Sequence, residues 1–360
     1  MDELRPDVLD CVVIGAGQAG LSTSFHLQRR GVRHVVLDSN DRAGGAWQHR
    51  WDALTMNDVH RVADLPGQPL PDAVGAERAN TFVPAYFADY EERHELPVMR
   101  PVDVRSVRDE DDLLRVEAAD GRTWRARTLV NATGTWRRPF IPHYPGIRTF
   151  AGEQLHTIDY PGPEAFRGRR VLVVGGGASA VQFLGALRPV TDTLWVTRRE
   201  PVWRAGGFGE VEGREAVALV EERVRRGLPP RSVVSVTGLM LRPQEQEAAR
   251  LGAYHRRPMF QRIEPDGVRW ADGTFERVDV ILWATGFRPD IDHLAPLRLR
   301  SPYGGIQLGD TPATATTSVV DPRVQLVGYG PSASTIGANR AGRVAARAVA
   351  RRLREDLVMA

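Results

Sequence analysis

The chain has 360 residues, 42% hydrophobic and 26% charged, a balance expected of a globular protein large enough for about two domains. Its 48 basic residues are all arginine and face 45 acidic ones, so lysine chemistry such as a Schiff base, a pyridoxal phosphate linkage or a phosphate-loop NTPase is excluded, and a net charge of +3 argues against a general polyanion binder. A single cysteine excludes an internal disulfide, a CxxC redox pair and a multi-thiolate metal site.

From the N-terminus, Met1 to Asp7 is acidic and polar where a signal peptide would be basic and then apolar. No apolar run approaches the ~18 residues of a membrane span, so a cytoplasmic protein is expected. Cys11 to Ile14 then reads as a buried strand running into Gly15-Ala16-Gly17-Gln18-Ala19-Gly20, followed by a helix to about Arg30 and a second strand, His34 to Leu37, ending at Asp38. An Asp120-Gly121 turn marks an antiparallel hairpin, after which Leu129 to Asn131 leads into Ala132-Thr133-Gly134. The whole order then returns 160 positions later. Val171 to Val174 enters Gly175-Gly176-Gly177-Ala178-Ser179-Ala180, a helix follows to about Arg188, and Leu194 to Thr197 ends at Arg198. A hairpin at Asp272-Gly273 and a strand, Val280 to Trp283, entering Ala284-Thr285-Gly286 complete the copy. Gly206 to Gln261 is spare beyond this pattern, with Glu210 to Gly227 expected as an exposed charged helix approached by a mobile Gly206-Gly207 loop. Finally, Val324 to Val327 is a strand and Ile336 to Leu353 a helix that returns to complete the first unit. The basic run Arg347 to Arg354 reads as a solvated helix face rather than a nucleic-acid patch.

Strand, glycine turn, helix and strand is the context in which GxGxxG marks a Rossmann unit. The first glycine makes the turn, the second admits a pyrophosphate, and the third, with Ala180 as a permitted variant, lets the helix pack on the sheet. The expected fold is therefore α/β, with two Rossmann-like three-layer domains, 1–160 with 287–360 and 161–286, the first discontinuous. The residues closing the second strands differ in charge. Asp38 is placed to accept hydrogen bonds from a ribose diol, whereas Arg198 suits a 2′-phosphate and thus a phosphorylated nicotinamide cofactor, with Arg199 over the adenine face. Two ordinary surface arginines in an arginine-rich chain are the alternative. Ser179 fails the GxSxG elbow at its last position, and the nine histidines contain no HExxH pair, so neither a hydrolase nor a metal site is expected.

Two nested units each with an ATG strand resemble the two-dinucleotide-binding-domain flavoproteins, over nearly the whole chain. The resemblance implies FAD in the first unit and NAD(P)H in the second. Phe150-Ala151-Gly152-Glu153-Gln154-Leu155-His156-Thr157-Ile158-Asp159-Tyr160 is similar to the FxGxxxHxxx(W/F/Y) signature of the flavin-containing and Baeyer–Villiger monooxygenases; composition by itself reads it as a linker with a structural histidine. In that family the histidine supports the placement of the domains. Tyr160 stands where Baeyer–Villiger enzymes have tryptophan, which lowers the expectation of efficient ketone oxygenation. Gly44-Gly45-Ala46-Trp47 is similar to the family's GGxW segment beside the flavin, though a surface turn with one buried tryptophan also explains it. Trp51 to Asn57 resembles the stretch whose asparagine lies near the flavin's reactive edge, and an ordinary turn residue explains Asn57 as well.

The resemblance implies an FAD-dependent, NADPH-using monooxygenase, with NADH use left open, that forms a C4a-(hydro)peroxyflavin and passes oxygen to a small sulfide or amine, weak Baeyer–Villiger activity being a further option. Asn57 and His156 are its candidate catalytic residues. The expected partners are a small-molecule substrate and dioxygen, with no nucleic acid and no membrane; a homodimer stays open. An FAD-dependent reductase or oxidase that inserts no oxygen, and a nucleotide sensor without turnover, are the competing readings.

Overall fold

Alternating apolar residues put opposite side chains of each strand on opposite faces, and both faces are covered. The computed structural model describes residues 8–59, 62–72, 75, 77–203, 219–230, 239, 241 and 243–359. Its first half contains β1 (Val8–Ile14), α1 (Gln18–Gln28), β2 (His34–Leu37), α2 (Ala79–Arg93), β3 (Val98–Met99), β4 (Val104–Glu110), β5 (Leu113–Ala118) and β6 (Thr123–Asn131). The second half contains β7 (Glu153–His156), β8 (Val171–Val174), α3 (Ala178–Leu187), β9 (Thr193–Thr197), α4 (Pro243–Arg250), β10 (Arg256–Pro258), β11 (Arg262–Glu264), β12 (Gly267–Arg269), β13 (Phe275–Arg277), β14 (Val280–Trp283), β15 (Val324–Leu326) and α5 (Thr335–Met359).

A seven-stranded sheet runs β3-β2-β1-β6-β5-β4, with β15 added to the far half of β6. Cys11, Val13 and Val36 point to a core shared with α1, α2 and α5, whereas Val12, Ile14, Val35 and Leu37 point to one shared with the β4–β5 hairpin. The second sheet, β10-β9-β8-β14-β7, is parallel throughout. Val171, Val173 and Trp195 meet α3 on one face, and Leu172, Val174 and Val196 meet the small β11-β12-β13 sheet on the other. Each copy of the repeat thus buries a parallel sheet between helices and an antiparallel hairpin. Gly121 (φ +87°) and Gly273 (φ +90°) take the left-handed turn that each hairpin needs.

Three features differ from the sequence reading. The first unit does not run to 160: β7 is the edge strand of the second sheet, paired with β14 from Glu153↔Val280 to His156↔Trp283, and Tyr144, Ile147 and Phe150 already pack in the second core. Helix α2 was hidden by Pro84, yet Val83, Tyr86, Phe87 and Tyr90 line one helical face and are buried. The last helix passes its expected end at Leu353 and continues to Met359, supported by the i,i+4 pairs Arg351–Glu355 and Arg352–Asp356. The expected Glu210–Gly227 helix is described only over 219–227, where 219–225 are helical; the Gly206-Gly207 approach and Met1 to Asp7 lie outside the described residues. Among the described residues no helix is long and apolar enough to cross a membrane.

Tyr160 sits in the second core, 4.3 Å from Phe183 and 5.7 Å from both Phe166 and Trp51 between ring centroids. Among the described residues its buried hydroxyl has no partner, and burial pushes its pKa up. Tyr160→Phe keeps the ring stack and removes that orphaned group, so denaturant unfolding is expected to show a gain of about 1 kcal/mol.

Candidate active site

The two glycine turns are built by the same contacts. Gly15 (φ +101°) and Gly175 (φ +144°) would each drive a Cβ into the carbonyl oxygen of the following ATG alanine, at 2.7 Å from Ala132 and 2.2 Å from Ala284. Ala132 N donates to Ile14 O at 2.8 Å and Ala284 N to Val174 O at 2.8 Å. This is why the ATG echo follows the glycine echo in the sequence: the alanine is the wall against which each turn is pressed. A Cβ on Gly20 would stand 1.8 Å from Gly15 O, so α1 rests directly on its own turn; Ala180 carries a methyl at the matching place and buries it.

Around the first turn lies a cavity of about 520 Å³ lined by Gly15, Gly17, Gln18, Ala19, Asp38, Gly45, Ala46, Trp47, Ala132, Thr133 and Gly134, among others. Most of the residues singled out in the first unit are thereby brought together. Asp38 is buried, its Oδ2 accepting from Ala16 N (2.6 Å) and its Oδ1 from Asn40 N and Nδ2 (2.8 Å each). A carboxylate has about four acceptor positions, so one remains. Behind it Arg100 binds Glu91 through two hydrogen bonds of 2.6 and 2.5 Å and comes within 3.9 Å of Asp38. Gln18 donates to Ala63 O and Asn339 Oδ1, and its buried Oε1 has no partner among the described residues. Sequence reasoning missed Arg50, Trp136, Phe287, His293 and Gly328, which also line this cavity. Only Trp136 and Phe287, two residues after Gly134 and one after Gly286, carried a positional signal.

The two ATG loops clasp each other. Phe140 N donates to Gly286 O and Asp290 N to Gly134 O, both at 3.0 Å, while Thr133 Oγ1 donates to Asp290 O and Thr285 Oγ1 to Phe140 O. His156 belongs to this clasp and lies outside the cavity lining. It is buried, with Nδ1 accepting from Ile158 N and Nε2 donating to Gly286 O at 3.0 Å, so it is the neutral Nε2–H tautomer and burial lowers its pKa. It acts on the site through the Gly286 turn. Asn57 also lies outside the lining, exposed in a turn whose backbone N–H donates to Gly75 O. Its segment instead meets the second unit, where Gln182 donates to Asp58 O at 3.0 Å. Gly177, Ala178 and Ser179 open the half-exposed start of α3, and Arg198 and Arg199 follow β9 on the exposed surface.

His293 is the second buried imidazole near the clasp. It donates to Asn131 Oδ1 at 2.7 Å, and Asn131 in turn donates to Thr133 Oγ1 at 3.1 Å. Burial pushes its pKa from 6.5 to about 4. The unfolded histidine takes a proton near pH 6.5 and the folded one does not, so its stabilisation is complete above that pH and drains away as the pH falls toward 4. Between pH 7 and 5 the loss from this residue is about 2 kcal/mol. Urea unfolding at the two pH values is expected to show it, and His293→Gln to shrink the difference.

The profile of the pyridine nucleotide-disulphide oxidoreductases matches residues 12–206. A flavin-containing monooxygenase from Stenotrophomonas maltophilia is 37% identical and superposes with a TM-score of 0.83 over 96% of this chain and 99% of its own. The chain belongs to the flavin-containing monooxygenases. It is an NAD(P)H-dependent flavoprotein with FAD and NADPH as its cofactors. A CzcO-like oxidoreductase from Geobacillus kaustophilus is 26% identical over 79% of this monooxygenase and 82% of its own length. The rice indole-3-pyruvate monooxygenase YUCCA1 is 28% identical over 78% and 77%. The disulphide chemistry in the wider family's name has no basis in this monooxygenase, whose one cysteine, Cys11, is buried in β1 with its thiol pushed up to about 12 by burial. The residues fit FAD on their own terms: the turn leaves no room for a Cβ, and Gln18 Oε1 and Arg50 Nε, from two cavity-lining residues, are buried without a hydrogen-bond partner among the described residues.

Proposed function

We propose that the first cavity holds FAD and the open α3 turn NADPH, and that the enzyme transfers one oxygen atom from dioxygen to a small soft nucleophile, a sulfide or an amine. The observation carrying this is the pair of matching cradles, one finished by Asp38 and the other by Arg198, joined through interlocked ATG loops. Bound FAD supplies hydride acceptance from NADPH and the activation of dioxygen. The chain supplies the rest. Gly15 and Gly17 let backbone approach the FAD pyrophosphate, with the N-terminus of α1 behind it, and Asp38 keeps one acceptor for the ribose. Gly175, Gly177, Ala178, Ser179 and Ala180 do the same for NADPH, whose 2′-phosphate meets Arg198, with Arg199 beside the adenine. Ala132, Thr133 and Gly134, with Ala284, Thr285 and Gly286, bring the two sites together; Gly45, Ala46 and Trp47 close the flavin side. His156 holds the Gly286 turn, and Asp58, next to Asn57, accepts the bond from Gln182 that joins the units.

A sulfide or amine takes an oxygen atom without a general base, so this substrate class asks least of the protein's own acids and bases. Purified enzyme given NADPH, air and an aryl alkyl sulfide should turn over about one sulfoxide per NADPH. NADPH consumption matched entirely by hydrogen peroxide, with no oxygenated product from sulfides or amines, would favour the oxidase reading instead.

A further inference from the structure

Four arginines line the first cavity, and three of them have an acid. Arg105 and Arg137 pair with Asp103 at 2.7 and 2.9 Å, and Arg138 with Asp292 at 2.5 Å. Arg50 pairs with no carboxylate among the described residues, and its Nε is shut off from solvent without a hydrogen-bond partner. Its guanidinium lies 4.3 Å from the centre of the Trp136 ring and 5.7 Å from that of Trp47, while Trp136 stacks on Phe287 at 5.1 Å. Burial alone, with no neighbouring charge, pushes its pKa down to about 10. A guanidinium held against two indole faces, with no carboxylate beside it among the described residues, is short of a counter-charge that the ring faces only partly replace.

The location identifies the counter-charge. Phosphates are served elsewhere in the cavity by the glycine turn and the N-terminus of α1. Arg50 stands at the aromatic end, against Trp136, which stacks on Phe287; these two lie two residues and one residue past the ATG loops. We propose that Arg50 is the counter-cation for the negative charge that the FAD ring system gains on reduction, and that it sets the cofactor's reduction potential. The inference rests on FAD occupying this cavity. The charge balance is simple: a hydride from NADPH carries two electrons and one proton, leaving NADP⁺ and one added negative charge on the flavin. A fixed guanidinium therefore favours the reduced form over the oxidised one.

The test is an equilibrium redox titration, against a reference dye, of FAD bound to wild type, Arg50→Gln, Arg50→Lys and the surface variant Arg340→Gln. Arg50→Gln is expected to weaken the binding of reduced FAD relative to oxidised FAD by about tenfold, a fall of ~30 mV for a two-electron couple. Arg50→Lys should keep most of the wild-type potential, and Arg340→Gln all of it. Arg50 makes no ion pair among the described residues, so apo Arg50→Gln should fold, which its far-UV circular dichroism will report; if it does not fold, Arg50→Met carries the same expectation. A wild-type potential in a yellow Arg50→Gln, or equal weakening of both redox forms as a pyrophosphate contact would give, overturns this inference alone. Wild-type apoprotein that takes up no FAD overturns the cofactor assignment and this inference with it.

Discussion

Gly15→Ala is expected to purify colourless, with FAD affinity reduced at least about a hundredfold, ~2.7 kcal/mol. Two costs coincide at this residue. Its φ of +101° lies in a region that residues with a Cβ rarely adopt, worth roughly 1–3 kcal/mol of strain, and the added methyl would sit 2.7 Å from Ala132 O. Ala132 is fixed by its bond to Ile14, so the turn moves rather than the wall, and the backbone withdraws from the cavity. Gly175→Ala makes the matching error in the second unit, 2.2 Å from Ala284 O, and should stay yellow while losing reduction by NADPH. Gly121→Ala is the control: its φ is +87° but nothing lies within 4 Å of the added carbon, so it should lose some stability and keep both cofactors. Flavin absorbance of the purified variants, and its bleaching by NADPH without oxygen, read all three. A yellow, NADPH-reducible Gly15→Ala would break the link between the first turn and FAD.

The second large effect is on coenzyme choice. Arg198 follows β9 directly, is exposed, and has no ion pair among the described residues, so its charge is available to a 2′-phosphate. A charge-assisted hydrogen bond is worth about 1.5–3 kcal/mol, and Arg198→Ala should therefore cut the NADPH-over-NADH ratio of kcat/KM by about tenfold or more. The loss should come from NADPH alone, leave NADH kinetics nearly unchanged, and shrink in high salt because the contact is solvent-exposed. Equal kinetics with both coenzymes before and after substitution would make Arg198 an ordinary surface arginine.

Much of this arrangement was legible along the chain because its parts are local. The GxGxxG turns, the Asp-Gly hairpins and the ATG strand ends each lie within a few consecutive residues and depend on glycine's freedom or on period-two burial. Repetition removed the remaining ambiguity, since chance rarely copies the same four-part order. Helix α2 escaped because Pro84 argues against a helix locally, while the burial of Phe87 and Tyr90 that overrides it is a tertiary term. The first unit's boundary was misplaced for a related reason: the segment joining the units looks like a linker until β14 offers it an edge to pair with.

Fold class, the doubled nucleotide cradle and the opposite charges of Asp38 and Arg198 follow from the order of residues alone, because neighbours in sequence make them. Which polar groups are spent and which remain free was settled by long-range proximity. Asp103 neutralises Arg137 from 34 positions away, His293 finds Asn131 across 162, and Arg50 comes to rest on Trp136 with no acid beside it among the described residues. Such pairings are chosen by how the sheets stack and the ATG loops interlock. A one-dimensional pattern carries no record of them.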